Sequence, residues 1–145
     1  MTDKLGEALH KLIHSYKGKM KQTAIESGII VPFAHIRALK CIQHIEDCSA
    51  TDISKRLGLD KSQVARIIKD LLNDHYIEKK QSPNNHRSQL LNLTEAGIEI
   101  MDRVQQVDKI TRKKMSETLT TEQIENFIST AETMLKNLNK PTTQD

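Results

Sequence analysis

The 145 residues, 37% hydrophobic but only 3% aromatic and with three prolines, are enough for one domain with its own core and favour a mostly helical fold. No run of about 18 apolar residues exists to span a membrane, and Met1 to Leu12 lacks the apolar stretch and cleavage site of a signal peptide, which points to the cytoplasm. In that reducing compartment Cys41 and Cys48 do not make a disulfide framework, and a net charge of +3 is too small to argue for a nucleic-acid partner by itself.

From Leu5 to about Ser27, the apolar residues Leu5, Leu9, Leu12, Ile13, Tyr16 and Met20 recur every three or four positions, predicting an amphipathic helix that stops at Gly28. Its other face is lysine-rich. So early in the chain, its apolar face has to pack on distant elements or on a second copy of the protein. Pro32 suits the first turn of a second helix carrying Phe33, Ile36, Leu39, Ile42 and Ile45, and Glu46 to Cys48 form a short loop.

The stretch from Ser49 to Leu72 reads as two short helices around a tight turn. Ser49 can cap the first through the Asp52 amide, and Gly58 stands where a left-handed residue ends that helix. Leu59 plugs the corner. Asp60 with Gln63 forms a capping box for the second helix, whose buried stripe is Val64, Ile67, Ile68, Leu71 and Leu72. Ser62, Gln63, Arg66 and Lys69 are left on the opposite side. Hydroxyl, amide and guanidinium groups near a helix N-terminus suit base edges in a DNA major groove, which makes the stretch a helix-turn-helix; a plain helical hairpin with solvated charges is the bland alternative.

Beyond Leu72 the pattern alternates through Tyr76 to Gln81, breaks at Ser82 to His86, and resumes from Ser88 to Leu93, predicting a two-stranded hairpin with His86 and Arg87 at its tip. Such a hairpin is a wing, placed to reach a minor groove or the DNA backbone. Thr94 caps a long helix through Ala96, Ile100, Met101, Val104, Val107 and on to Met115. Thr120 with Gln123 caps a last one bearing Ile124, Phe127, Ile128, Ala131, Met134, Leu135 and Leu138. Between Ser49 and Leu90 lie eight basic against five acidic residues, an excess equal to the net charge of the whole chain. The base-edge candidates are Ser62, Gln63 and Arg66; Lys55, Lys61 and Lys69 are candidates for phosphates, and His86 with Arg87 for the wing contact.

With these residues in this order, the chain resembles the MarR family of bacterial transcriptional regulators. The resemblance is most specific from Asn85 to Gly97, where Arg87 falls on the wing arginine and Leu93 with Thr94 on a Leu-Thr pair, and GLDKSQVARIIKDLL is similar to the family's recognition helix. Asn85 stands where the family usually has aspartate, so the arginine would be held by a weaker, uncharged acceptor. The resemblance implies a mainly α (α+β) winged helix in one domain. Residues 32–111 would form the winged helix-turn-helix lobe with a long linking helix, and residues 1–31 and 112–145 the dimerisation helices. It further implies a homodimer on double-stranded DNA, reading a pseudo-palindromic operator as a repressor. A small aromatic or phenolic effector would release it from a pocket walled by the first, second and fifth helices, with Tyr16, His35 and Leu39 as candidate lining.

A winged helix can also serve as a protein-interaction module, which remains the alternative reading. No nucleophile elbow, phosphate loop or paired carboxylates suggest an enzyme, and no cofactor is expected. His10 and His14, one turn apart, could share a metal but read as a solvated face, so no metal is assigned. Cys41 and Cys48 could sense oxidants, as in some relatives of the family, whereas a buried cysteine mostly behaves as a small hydrophobe.

Overall fold

The computed structural model describes residues 1–82 and 89–141. Its elements are α1 (Thr2–Glu26), α2 (Phe33–His44), α3 (Ala50–Leu57), α4 (Lys61–Asn73), β1 (Ile77–Gln81), β2 (Gln89–Leu93), α5 (Glu95–Met115) and α6 (Thr121–Leu138). This is the mainly α winged helix expected. The chain divides into two compact units, residues 1–111 and 112–145.

Local chemistry sets the boundaries. Gly28, at φ 76°, closes α1 by letting the Ile29 amide turn back to the Ala24 carbonyl at 2.9 Å. At the start of α3 the Ser49 amide donates to Asp52 Oδ2 (2.9 Å) while the Asp52 amide donates to Ser49 Oγ (3.3 Å), a reciprocal capping box. Gly58, at φ 66°, ends α3, and the Ser54 hydroxyl locks the corner by donating to the Leu59 carbonyl at 2.6 Å. Pro32 sits at the N-cap of α2 rather than inside its first turn. Phe33 is therefore the first helical residue and stays about half exposed, whereas the sequence pattern had placed it on the buried face.

The core of the first unit gathers α2, α3, α4, the sheet and α5 around Leu39, Ile53, Val64 and Leu71, which are almost wholly removed from water. Burying each such side chain is worth roughly 1.5–3 kcal/mol. Cys48, in the loop before α3, is fully buried as well. On α5 the inward row is Gly97, Ile100, Met101, Val104 and Val107. The sequence pattern had put Ala96 on that row, but it is exposed. Gly97 takes the place because α5 starts close against the turn between α4 and β1: a Cβ there would lie 2.1 Å from the Tyr76 carbonyl oxygen.

β1 and β2 pair antiparallel with Ile77 opposite Leu93, Lys79 opposite Leu91 and Gln81 opposite Gln89. The root of this hairpin is pinned at several points. The Leu91 amide donates to the Cys48 carbonyl (2.8 Å), the Tyr76 amide to the Leu71 carbonyl (3.0 Å) and the Thr94 amide to the Tyr76 carbonyl (3.0 Å). The Thr94 hydroxyl donates to the His75 carbonyl (2.6 Å) and accepts from the Gly97 amide (3.1 Å), capping α5 as the sequence predicts.

In the second unit Thr120 and Gln123 form the capping box that opens α6. No residue of α6 is buried, and Phe127, Leu135 and Leu138 are 59%, 58% and 81% exposed. Leu5, Leu9, Leu12 and Ile13 of α1 are likewise exposed. No helix among the described residues is long and apolar enough to cross a membrane.

Candidate nucleic-acid interface

The candidate interface centres on α4. Val64, Ile67, Ile68 and Leu71 bury one side of it, which leaves Lys61, Ser62, Gln63, Arg66 and Lys69 facing water, as the spacing predicts. Lys55 is exposed on α3. None of Lys55, Lys61, Arg66 and Lys69 is in an ion pair among the described residues, so all four cations are open to an incoming phosphate or base.

The cap of α4 constrains what two of these residues can offer. Asp60 Oδ1 accepts from the Gln63 amide (2.8 Å) and from the Ser62 hydroxyl (2.7 Å), while Gln63 Oε1 accepts from the Asp60 amide (3.1 Å). The cap therefore leaves Gln63 its side-chain amide nitrogen as a free donor, and Ser62 its hydroxyl oxygen as an acceptor. The sequence shows the cap but not this division of roles.

The Gln63 amide, the Ser62 hydroxyl and, less strongly, Arg66 hold the Asp60 carboxyl below the usual aspartate range. A depressed folded-state pKa gives a contribution that is complete above the ordinary carboxylate range and is lost as pH falls through the folded value. The Gln63 amide proton resonance should accordingly titrate with a midpoint below that of an ordinary aspartate. A midpoint at or above that range would show that the cap does not hold the charged form.

Two clefts stand out among the described residues, the second of them beside α4. The first, of about 550 Å³, lies between α1, the connector to α2 and α5, and its lining includes Met20, Ile25, Ile30, Phe33, Val107 and the half-buried Asp108. Asp108 pairs with Lys40 of α2 at 3.0 Å. These are the elements expected to wall an effector pocket, but Tyr16, His35 and Leu39 are not in the lining. Leu39 is spent in the core, and His35 turns its Nε2 to Asp70 of α4 at 3.2 Å. The second cleft, of about 540 Å³, lies between the start of α3, the second half of α4 and the sheet. Thr51, Asn73, Lys79 and Gln89, which the sequence reading did not single out, contribute to its lining together with Lys69.

His86, Arg87 and the neighbouring Asn85 lie outside the described residues. Burial pushes the Cys48 thiol up to about 11, and Cys41 also rises for the same reason, so both stay protonated near neutrality. A protonated, buried thiol is a poor nucleophile toward oxidants. His10 and His14 are exposed on α1, and no group of three or more potential ligands gathers among the described residues.

Residues 34–89, from α2 to the start of β2, match a profile of the MarR family. The HTH-type transcriptional regulator BilQ of Clostridioides difficile (strain CD3) is 33% identical over 85 residues, which span 56% of this chain and 57% of that protein. A MarR transcriptional regulator from Methanosarcina mazei Go1 superposes with a TM-score of 0.77 at 18% identity, covering 93% of this chain and 96% of that one. A mutant of MepR from S. aureus, bound to an oligodeoxyribonucleotide, superposes at 0.63 with 17% identity, covering 93% and 98%. The match over residues 34–89 makes this segment similar to the MarR family, and the chain shares the winged-helix fold of solved MarR regulators, while it spans a little over half the length of the curated regulator it matches.

Proposed function

We propose that the protein is a sequence-specific transcriptional regulator that binds double-stranded DNA as a homodimer and acts as a repressor. The observation that carries this reading is α4: a helix capped at its N-terminus, buried on one side, and presenting Ser62, Gln63 and Arg66 beside unpaired lysines on the other. A helix so equipped reads base edges from its N-terminal turns. The DNA-bound state of the MepR relative supports the same use of the fold. α1 and α6 each expose apolar residues that a second copy could cover, and isologous pairing would then set two recognition helices on a pseudo-palindrome. The apolar cleft of about 550 Å³ is where we place a small effector, which would release DNA by preferring a dimer with the wrong spacing between half-sites.

The test is fluorescence anisotropy of the full chain on DNA from upstream of its own gene and on a scrambled duplex, over a range of salt. Affinity for both should fall linearly on a log–log plot, with preference for the native sequence. Arg66→Ala is expected to cost about 1–3 kcal/mol and to relax specificity at one base position, whereas Lys69→Ala should weaken both duplexes alike and flatten the salt slope. No binding to either duplex at low salt would end the proposal.

A further inference from the structure

We infer that the cleft between the start of α3, the second half of α4 and the inner face of the sheet seats the DNA sugar-phosphate backbone, with Lys79 as a phosphate ligand; this rests on the DNA-binding reading above. Ser62, Arg66, Lys69 and Asn73 follow one another at intervals of four, three and four, so they lie within about 60° of arc and form a stripe about 16 Å long. A B-DNA major groove is only about 12 Å wide. With Ser62 and Arg66 at base edges, the far end of the stripe runs past the groove to its wall, which is backbone.

Lys69 and Asn73 are the polar α4 side chains that line the cleft at that far end, beside Ile68 and Leu72. The sheet meets them there. Side chains alternate along a strand, so Lys79 shares the face of buried Ile77, and its partner in the ladder is buried Leu91. Lys79 thus extends the core face of β1 outward into the cleft, whereas Lys80, the next residue, belongs to the opposite face. The described lining contains Lys69 and Lys79 and no carboxylate, and Thr51 and Gln89 add neutral polar groups suited to phosphate oxygens. Two cations without a counter-ion, in a groove continuous with the base-reading stripe, suit a polyanion that leaves the major groove at that point.

Lys79→Gln and Lys80→Gln in the full chain separate this geometry from general surface charge, because the two changes remove the same charge from adjacent, exposed positions. With Lys79→Gln the native and scrambled duplexes should weaken by the same factor, and the slope of log K against log salt should drop by about one. Across a fourfold rise in salt the fall in affinity then becomes about 3.5-fold shallower. Lys80→Gln should leave affinity and slope at wild-type values. Thermal unfolding checks that both variants keep the fold. Equal effects from the two substitutions, or a loss with Lys79→Gln confined to the native sequence, would overturn the assignment. Because wild type and Lys80→Gln report DNA binding in the same experiment, failure of the cleft proposal is distinguishable from failure of the DNA-binding reading.

Discussion

Gly97→Ala should destabilise the protein by about 3 kcal/mol, even though alanine is the better helix former. The added methyl would sit 2.1 Å from the Tyr76 carbonyl oxygen, where about 3 Å is the practical minimum. Neither side of the contact can yield cheaply. The carbonyl already accepts the Thr94 amide at 3.0 Å, and Tyr76 is held from behind by its own amide on the Leu71 carbonyl. On the other side, Gly97 is in the first turn of α5 and its amide is fixed on the Thr94 hydroxyl. To relieve the clash α5 must lift, which breaks its cap and opens the row through Ile100 and Met101 to water. The gain from helix propensity is about 1 kcal/mol, so the clash dominates. Urea or thermal unfolding measures the balance, with a fall in midpoint of roughly ten degrees or more expected. A variant as stable as wild type would show that the approach of α5 to Tyr76 is looser than described.

Phe127→Lys combined with Leu135→Lys should convert a dimer to monomers and lower operator affinity by roughly 10²–10⁴. Both side chains are more than half exposed in the single chain, so neither substitution removes a core contact within it. In the proposed dimer they lie on the apolar face of α6, where each buried side chain is worth roughly 1.5–3 kcal/mol, and two-fold symmetry introduces every charge twice. Monomers would hold each half-site separately and lose the effective concentration that links the two. Light scattering reads the mass and anisotropy the affinity. A wild-type protein that is monomeric at micromolar concentration, or a double variant that remains a dimer, would remove α6 from the interface.

Much of the architecture was legible because it follows from local chemistry. The three capping boxes, at Ser49, Asp60 and Thr120, and the left-handed Gly58 depend on residues three to five positions apart, a range at which sequence is explicit. The buried row of α4 follows from period alone. The phase of α5 was less legible, since Ala96 and Gly97 are both small and only the passage over Tyr76 decides which faces inward. Likewise, Leu39 and His35 look available on an isolated α2, but the first is taken by the core and the second by Asp70, thirty-five residues away. Asn73 and Lys79 could have been found by carrying the α4 stripe one turn further and by counting strand alternation from Ile77. What sequence could not supply is that these two faces border the same cleft.

The pinned root of the hairpin bears on how control is distributed in this protein. Leu91 is tied to the loop before α3, Tyr76 to the last turn of α4 and Thr94 to both His75 and Tyr76, so the helices and the base of the sheet form one hydrogen-bonded frame. Within that frame the outer stripe of α4 and the sheet cannot shift past each other without breaking several hydrogen bonds at once. In the proposed dimer each half-site would then be met by a preformed die, and the adjustable quantity would be the distance between two dies. On the proposed function, recognition and regulation would be mechanically separate: base preferences would be set at Ser62, Gln63 and Arg66, and the response to a signal by the spacing of the two copies.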